Sequence, residues 1–478
     1  MEKPLLGRKD KEEKWKITWS AFGKELKKVS YMAVPMVAVT VSQYLLQVIS
    51  VMMVGHLGKL DLSGIALGSS FANVTGFSFV FGIAGALETL CGQAYGAQQY
   101  QKLGTYTYCS IICLIPVCIP ICILWIFMDK LLVLLGQDPE IAMVAGRYAI
   151  CLIPALFACP FLQSFVRYFQ CQSLIFPMFF SSSAAVCLHI PLCWTLLYKT
   201  KLGIIGAALS TGIAFWFNVI LLGIYMRYSS SCEKSRALIF KDIFSCIKEF
   251  FSYGLPSAIM LCLEWWSSEI LILLSGLLPD SMLETSVLSI CLTIVSLHFF
   301  VPYGISAAAS TRVSNELGAG NPQAARLSVI VAMVIAIIEP IIVATALFSC
   351  RHVFGYIFSN EKQVVNYVAE MIPLLCISVL IDSIQAVLSG VARGTGCQHI
   401  GAYVNLGAFY LVGIPLAAVL CFGLNLRGQG LWIGIVAGIS VQASLLALVT
   451  GFTNWQKQAS NVRERMFKVA ITADNESA

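Results

Sequence analysis

Long, uninterrupted apolar runs follow one another along the chain, and short polar segments separate them. A bilayer core about 30 Å thick is crossed by about 20 apolar residues in a helix. Runs of that length predict twelve membrane-spanning helices, near 31–54, 64–87, 105–128, 141–165, 175–197, 203–226, 250–277, 285–309, 327–350, 364–391, 400–423 and 430–453. The runs lack the alternation that marks the strands of a membrane barrel. The pattern therefore predicts an all-α integral membrane protein.

The pattern of runs occurs twice. The segment Cys91-Gly-Gln-Ala-Tyr-Gly-Ala97 has a counterpart later in the chain, Val313-Ser-Asn-Glu-Leu-Gly-Ala319. The same number of residues separates Gln163 from Gln385, and we term this spacing the repeat offset. Six spans bring the chain back to its starting side of the membrane, so the two six-helix repeats are predicted to be parallel. A duplicated membrane protein is typical of secondary transporters, which bind substrate between two halves.

The distribution of charge predicts the orientation. Hydrophobic residues make up 58% of the chain and charged residues 12%, with a mean hydropathy of +0.81. On the side that carries the amino terminus lie 23 of the 31 Lys and Arg residues, and the positive-inside rule assigns that side to the cytoplasm. We therefore expect cytoplasmic tails at 1–30 and 454–478, a first lobe at 31–227, a cytoplasmic linker at 228–248 and a second lobe at 249–453.

Composition argues against several other classes of protein. The net charge of +6 follows from the topology, and basic segments attract anionic membrane lipid, so no nucleic-acid partner is expected. The charged first thirty residues lack the apolar region of a cleaved secretory signal. Most of the 18 Cys lie in apolar runs, and neither Cys-x-x-Cys pairs nor Walker spacing occurs. We expect no metal and no cofactor, and a monomer suffices.

Among the acids within predicted spans, two in the second half stand out. Glu264 is about half-way along the seventh span, and Asp382 lies inside the tenth. A charge at the bilayer centre is costly, so each acid indicates a function. The matching positions of the first half are Gln43 and Pro160, whereas a symmetric structural role would place acids in both halves. The asymmetry predicts that the second half handles a proton or another cation.

Desolvation disfavours the ionised form of a carboxylate, so a buried acid can be neutral in one state of a carrier and ionised in another. The alternative is that each acid stays protonated and only bonds a neighbouring helix. Asp382, Gln385 and Ser389 share one helical face, as do Glu264 and Ser268. The side chains predicted to line the cavity or to support the two acids are Gln43, Ser268, Gln385, Ser389, Trp265, Tyr303, Glu339 and Glu370.

Three other charges are expected to lie apart from the two acids. Glu269 follows Glu264 by five residues, which rotates it about 140° round the helix, so we expect it to face a different environment. Glu88 and Arg312 lie at matching ends of the second and eighth spans. They are predicted to organise a gate at the cytoplasmic side.

Four segments resemble the multidrug and toxic compound extrusion (MATE) family, and in particular its plant detoxification members. They are Leu87–Ala97, Cys262–Glu269, Arg312–Pro322 and Gly390–Gln398. The resemblance covers roughly residues 25–455. It implies a V-shaped pair of lobes and a secondary active antiporter, not an enzyme, in the plasma membrane or the vacuolar membrane.

The resemblance also implies a substrate and a coupling ion. The family exports organic, often cationic or amphiphilic compounds in exchange for protons or sodium, and its coupling acids correspond to Glu264 and Asp382. Plant members are taken to use protons. Sodium coupling and flipping of a lipid-linked substrate on the same architecture stay open. An integral-membrane enzyme is disfavoured because the five His residues are scattered, and gradient-coupled accumulation would exclude a channel.

Overall fold

The computed structural model describes residues 18–200, 202–237, 240–359 and 361–476. These residues form helices and no strand, and twelve of the helices are long and apolar enough to cross a membrane, which confirms the predicted fold. The spans are α1 (Trp19–Gly55), α2 (Lys59–Gly96), α3 (Tyr100–Ile126), α4 (Pro139–Cys171), α5 (Ile175–Lys199), α6 (Ile204–Tyr228), α7 (Ile243–Ser275), α8 (Met282–Gly318), α9 (Pro322–Ser349), α10 (Lys362–Thr395), α11 (Gln398–Gly423) and α12 (Arg427–Phe452). A further helix, α13 (Trp455–Glu476), follows them.

Short helical turns of other kinds join or interrupt these spans. Outside the spans lie two short α-helices, Met128–Leu134 and Arg351–Phe354, and two 3₁₀ turns, Ser230–Cys232 and Gly355–Ile357. The π-helical turns are Asn73–Phe77 in α2, Thr195–Lys199 in α5, and Leu406–Gly413 and Val419–Gly423 in α11. A π-helical turn disturbs the regular ladder of backbone hydrogen bonds and often marks a functional site.

Several helices extend beyond the apolar runs that predicted them. α1 begins at Trp19, so the last part of the predicted tail 1–30 is helical, and Thr18 caps it by accepting a hydrogen bond from the Ala21 amide. α4 and α10 continue to Cys171 and Thr395, beyond the predicted ends at 165 and 391. Apolar side chains mark only the part of a helix that lies in lipid, whereas backbone hydrogen bonding continues past it.

Helix packing repeats between the first half (α1–α6) and the second half (α7–α12). In the first half α4 packs against α2, α3 and α6, and α5 packs against α1 and α6. In the second half α10 packs against α8, α9 and α12, and α11 packs against α7 and α12. Each contact in one half thus has its counterpart six helices later, as the sequence repeat requires.

The two halves meet along a contact surface that we term the seam, in which α1 packs against α8, α2 against α7, and α2 against α8. Gly82 of α2 lies against the backbone of Ala258, and its counterpart at the repeat offset, Gly304 of α8, lies against Val37. A side chain at either glycine would overlap the facing helix. Small residues are the means by which membrane helices approach closely.

One end of the bundle carries the segment 228–237 and the described chain ends, and we term it the linker end; the opposite end is the distal end. At the linker end Gly96 meets the carbonyl group of Asn315, and Gly318 meets that of Gln93. The two contacts are reciprocal because the repeat offset relates Gly96 to Gly318 and Gln93 to Asn315. Glycine is required at both positions, since an added Cβ would overlap a carbonyl oxygen.

The segment that follows α6 packs onto the first half. Cys232 and Ser235 are buried, and the hydroxyl oxygens of Ser235 and Tyr168 lie 2.6 Å apart. Ser235 also donates to Gln172 Oε1 at 2.8 Å. These bonds attach the start of the linker to the linker end of α4.

Candidate functional site

A cavity of about 440 Å³ lies between the two halves, in the middle and distal part of the bundle. Its first wall comes from α1 and α2, and its second from α7, α8, α10, α11 and α12. Pockets that hold small organic molecules have volumes of roughly 300–1,000 Å³. The cavity is therefore large enough for such a ligand.

Three carboxyl groups line this cavity, and all three belong to the second half: Glu264, Glu269 and Asp382. Asp382 is 7% exposed. The structure thus brings the two predicted acids to one site, but the expectation that Glu269 faces a different environment is wrong. The residues of α7 that line the cavity cover an arc of about 200°. α7 borders the cavity over that whole arc. Glu269 is rotated only about 140° from Glu264, so its side chain still lies at the cavity.

Side-chain amides surround the carboxyl group of Glu264. Gln385 Nε2 donates to Glu264 Oε2 at 3.0 Å, and Gln442 Nε2 approaches the same oxygen at 3.4 Å. The orientation of Gln442 is fixed by a chain of bonds, since Asn405 Nδ2 donates to the Met260 carbonyl at 2.7 Å and Asn405 Oδ1 accepts from Gln442 Nε2 at 2.7 Å. The carboxyl group therefore faces amide nitrogens.

Asn405 and Gln442 were not predicted as site residues. Each is an isolated amide within an apolar run, of α11 and α12 respectively. That isolation was a signal, because an amide in lipid needs a partner. Nothing in the linear pattern, however, showed that both point towards α7.

The predicted polar face of α10 continues away from the cavity. Asp382 lines the cavity, Gln385 bonds Glu264, and Gln385 Nε2 also donates to Ser389 Oγ at 3.1 Å. On α7, Ser268 lines the cavity beside Glu264. These predicted residues thus line the cavity or are connected to Glu264 by hydrogen bonds through Gln385.

Aromatic side chains form much of the remaining wall. Those that line the cavity are Tyr44, Trp265, Phe299, Phe300, Phe409 and Trp432. Trp265 stacks on Phe81 of α2 with ring centres 6.2 Å apart. Trp266 Nε1 donates to the Val74 carbonyl at 3.1 Å, in the π-helical turn of α2. The turn thus supplies a bond across the seam beside the cavity.

Four predicted residues lie elsewhere and are not among the described residues that line the cavity. Gln43 is half-buried, and its Nε2 has no hydrogen-bond partner in the described part of the chain. Tyr303 lies closer to the linker end, as described below. Glu339 contacts His298 Nε2 at 3.2 Å, between α9 and α8, and Glu370 is exposed.

A buried cluster of charged side chains crosses the seam between the cavity and the linker end. Glu88 Oε2 accepts from Arg393 Nε at 2.9 Å, and Glu88 Oε1 lies 3.0 Å from Arg167 Nη1. Arg167 Nη2 donates to the Tyr303 hydroxyl at 2.8 Å. Glu88 and Arg167 belong to the first half, whereas Arg393 and Tyr303 belong to the second. The cluster therefore joins the halves.

Sequence reasoning missed Arg167 and Arg393. The predicted spans ended at 165 and 391, so both arginines were assigned to polar connecting segments. In the structure α4 and α10 continue past them, and both side chains are buried. A search for charges within one helical turn of a predicted end would have found them.

A second ion cluster closes the linker end itself. Arg312 of α8 donates to Glu25 of α1 through Nε at 2.8 Å and through Nη2 at 3.1 Å. Ser328 Oγ donates to Glu25 Oε1 at 2.7 Å, and Arg312 also bonds Glu316 at 2.5 Å. Like Glu88, Arg312 makes one charged contact across the seam and one within its own half.

α13 adds contacts with both halves at the linker end. Arg465 bonds Gln93 of the first half and Tyr253 of the second half. Lys102 Nζ of α3 donates to the Met466 carbonyl at 2.5 Å. α13 therefore lies across the closed linker end.

We expect Arg312→Gln to lower the free energy of unfolding by about 3 kcal/mol, because it leaves the buried Glu25 carboxylate without its main partner. The midpoint of thermal unfolding in detergent measures the effect. Arg326→Gln is the matched control, since Arg326 is exposed near the start of α9. Equal midpoints for the two variants would show that the Arg312–Glu25 pair contributes little.

Comparisons with known proteins show which family shares this sequence and architecture. The model of the MatE family matches residues 35–195 and 256–419, one stretch in each half. Protein DETOXIFICATION 3 of Arabidopsis thaliana is 54% identical over 98% of this chain and 98% of its own length, and Protein DETOXIFICATION 14 of the same plant is 56% identical over 97% and 96%. The crystal structure of the eukaryotic MATE transporter AtDTX14 superposes with a TM-score of 0.90 at 56% identity, over 93% of this chain and 100% of that one.

Proposed function

The chain belongs to the multidrug and toxic compound extrusion (MATE) family, and on that premise we propose that it is a proton-coupled antiporter that exports organic cations and amphiphiles by alternating access. Members of the family are transporters, so the chain is a multi-pass efflux transporter and not an enzyme. The proposal concerns the coupling ion, the substrate and the orientation in the membrane.

The charge distribution supports an orientation with the linker end and both chain ends in the cytoplasm. The cavity then lies towards the outer or luminal side, and the ion clusters and reciprocal glycine contacts close the cytoplasmic side. This arrangement corresponds to the outward-facing state of an alternating-access carrier.

The observation that carries the proposal is the meeting of Glu264, Glu269 and Asp382 with several aromatic rings in one cavity between the halves. Carboxylates attract a cation, and aromatic faces bind organic cations through cation–π attraction as well as apolar contact. Both groups can act on one ligand in a cavity of about 440 Å³. A cationic or amphiphilic organic substrate suits this lining.

The amides around Glu264 favour a proton over sodium as the coupling ion. Sodium is a hard cation and needs several oxygen ligands, as other hard cations do. Gln385 and Gln442 instead present nitrogen donors to the Glu264 carboxyl group. A proton needs only the carboxyl oxygen, which the cavity leaves accessible.

The proposed cycle follows from competition at one site. On the outer side Glu264 and Asp382 take up protons, lose their negative charge and release the organic cation. After the halves exchange access, both acids release their protons to the cytoplasm and bind the next cation. A charge that moves through 100 mV contributes about 2.3 kcal/mol, so a membrane potential adds to the drive when the exchange carries net charge.

The test is accumulation of a fluorescent organic cation in proteoliposomes with an acidic interior. Accumulation that collapses with a proton ionophore is expected, and it should not change when potassium replaces sodium on both sides of the membrane. Accumulation that follows an imposed sodium gradient instead would establish sodium coupling. Equilibration without any gradient dependence would indicate a channel and overturn the proposal.

We expect Glu269→Gln to weaken binding of cationic substrates more than that of neutral amphiphiles, because Glu269 contributes charge to the cavity wall and accepts only one described hydrogen bond, from Ser70 at 3.0 Å. The apparent KM for a monovalent organic cation should rise by roughly tenfold, equivalent to about 1.4 kcal/mol. Ser70→Ala, which keeps the carboxylate, is the control. An equal KM change for charged and neutral substrates would contradict the role in charge selection.

A further inference from the structure

A continuous polar face of α10 connects the cavity with the buried ion cluster. Asp382, Gln385, Ser389 and Arg393 follow the spacing i, i+3, i+7 and i+11, which places them along one side of the helix. Side chains of a helix lean towards its amino-terminal end, which for α10 is the distal end. The Arg393 side chain therefore leans along this face towards the cavity.

The Arg393 side chain contacts both halves of the protein. Its Nε donates to Glu88 across the seam at 2.9 Å, whereas its Nη2 donates to Ser306 of its own half at 3.0 Å. Gln385, on the same face of α10, donates to Glu264 Oε2 at 3.0 Å, so this face leads from Arg393 to that carboxyl group. Gln385 and Ser389 are bonded to each other, and they lie between Asp382 and Arg393 along this face of α10.

The charges around Arg393 are not balanced. The charged or titratable groups that form the cluster with Arg393 are Glu88 from α2, Arg167 from α4 and Tyr303 from α8. One carboxylate thus serves two arginines, all three buried. Arg167 and Glu88 belong to the same half and stay together when the halves part, whereas Arg393 does not.

The groups that face the coupling acids are few. Glu264 shares the cavity with Asp382 of α10, Glu269 of its own helix and Tyr44 of α1, and it meets neutral amides of α10 and α12. From α9, which also packs against α10, Glu339 is paired with His298. Arg393 is thus a buried cation on the same face of α10 as Asp382.

We propose that Arg393 is a positioning residue shared between two sets of carboxylates: it holds Glu88 across the seam while the linker end is closed, and it stabilises the ionised Glu264 and Asp382 once the halves have parted there. This inference rests on the proposed proton antiport. A buried charge that loses its partner is strongly destabilising, so the separation of Glu88 leaves Arg393 to interact with the acids of its own half.

It follows that the opening of the linker end and the exchange of protons at Glu264 and Asp382 influence each other. Opening of the linker end frees Arg393 and favours proton release to that side. Protonation of the two acids leaves Arg393 with Glu88 as its only strong partner and favours closure. Two events whose free energies are coupled must influence each other by the same amount, so the exchange of partners ties proton movement to the direction of access.

The experiment measures exchange in proteoliposomes of known protein orientation while the pH on each side is varied separately. Arg393→Gln should move the dependence on linker-side pH upwards by on the order of one pH unit, because a nearby positive charge favours the ionised form of a carboxylic acid and its removal disfavours that form. Arg393→Lys keeps the charge and should restore the wild-type profile. A purely structural arginine would lower the maximal rate and leave both profiles in place.

Glu88→Gln provides a second, opposite test. It leaves Arg393 without its partner in the closed state, so the dependence on distal-side pH should move downwards. Unmoved profiles in Glu88→Gln, or in Arg393→Gln variants that still exchange, would overturn the proposal. If wild-type protein showed no proton-coupled exchange, the antiport itself would fail; if coupling were intact and only these shifts were missing, the inference about Arg393 alone would fail.

Discussion

Glu264→Gln and Asp382→Asn are each expected to reduce gradient-driven accumulation of an organic cation to the level of liposomes without protein. Either substitution removes a carboxyl group that exchanges protons and attracts the cation, while it preserves the size of the side chain. Glu264 retains two amide neighbours, so the amide variant should fold. Accumulation of the cation under an imposed proton gradient is the measurement.

Glu370→Gln is the matched control for these two variants. Glu370 lies on α10, as Asp382 does, but it is exposed. We expect its substitution to leave accumulation at the wild-type rate. If Asp382→Asn also accumulated the cation at that rate under a proton gradient, Asp382 would have no part in coupling.

Gly96→Ala and Gly318→Ala are expected to prevent closure of the linker end and to abolish transport. In both, the added methyl group would overlap a backbone carbonyl oxygen of the facing helix, and a backbone group cannot move aside as a flexible side chain can. Overpacking of this kind costs about 1–3 kcal/mol. Transport rate and the midpoint of thermal unfolding should both fall.

The two glycine variants should behave alike, because their contacts are reciprocal. Gly451→Ala is the control, since no described atom of a neighbouring helix lies within 4 Å of a Cβ placed on that glycine of α12. Normal transport by Gly96→Ala would show that α2 and α8 can part at this contact without loss of function.

The length of the apolar runs was sufficient to predict the fold. A helix must be about 20 apolar residues long to cross a bilayer, and the twelve runs correspond to the twelve spans. Glu264 and Asp382 were predictable for a related reason: an acid in the middle of such a run stands out against a strong local pattern. The sequence repeat then located the counterparts in the other half.

Positions near the ends of the runs were harder to predict. Arg167 and Arg393 lie where helix continues but apolar sequence has stopped, so hydropathy alone could not distinguish a buried arginine from a surface one. Glu269 was assigned from helical rotation, which gives the direction of a side chain but not the width of the space beside the helix. Both errors concern contacts between helices, which a linear pattern does not encode.

The reciprocal glycine contacts at the linker end, in which Gly96 meets Asn315 and Gly318 meets Gln93, resemble an interface between two identical subunits. A twofold axis imposes this form on a homodimer, because residue i then meets j and j meets i. The two halves thus meet as two copies of one six-helix subunit would meet. Fusion of such copies into a single chain frees each half to change independently. A carboxylate can then be gained in one half alone, as Glu264 and Asp382 are, whereas every substitution in a symmetric dimer occurs twice.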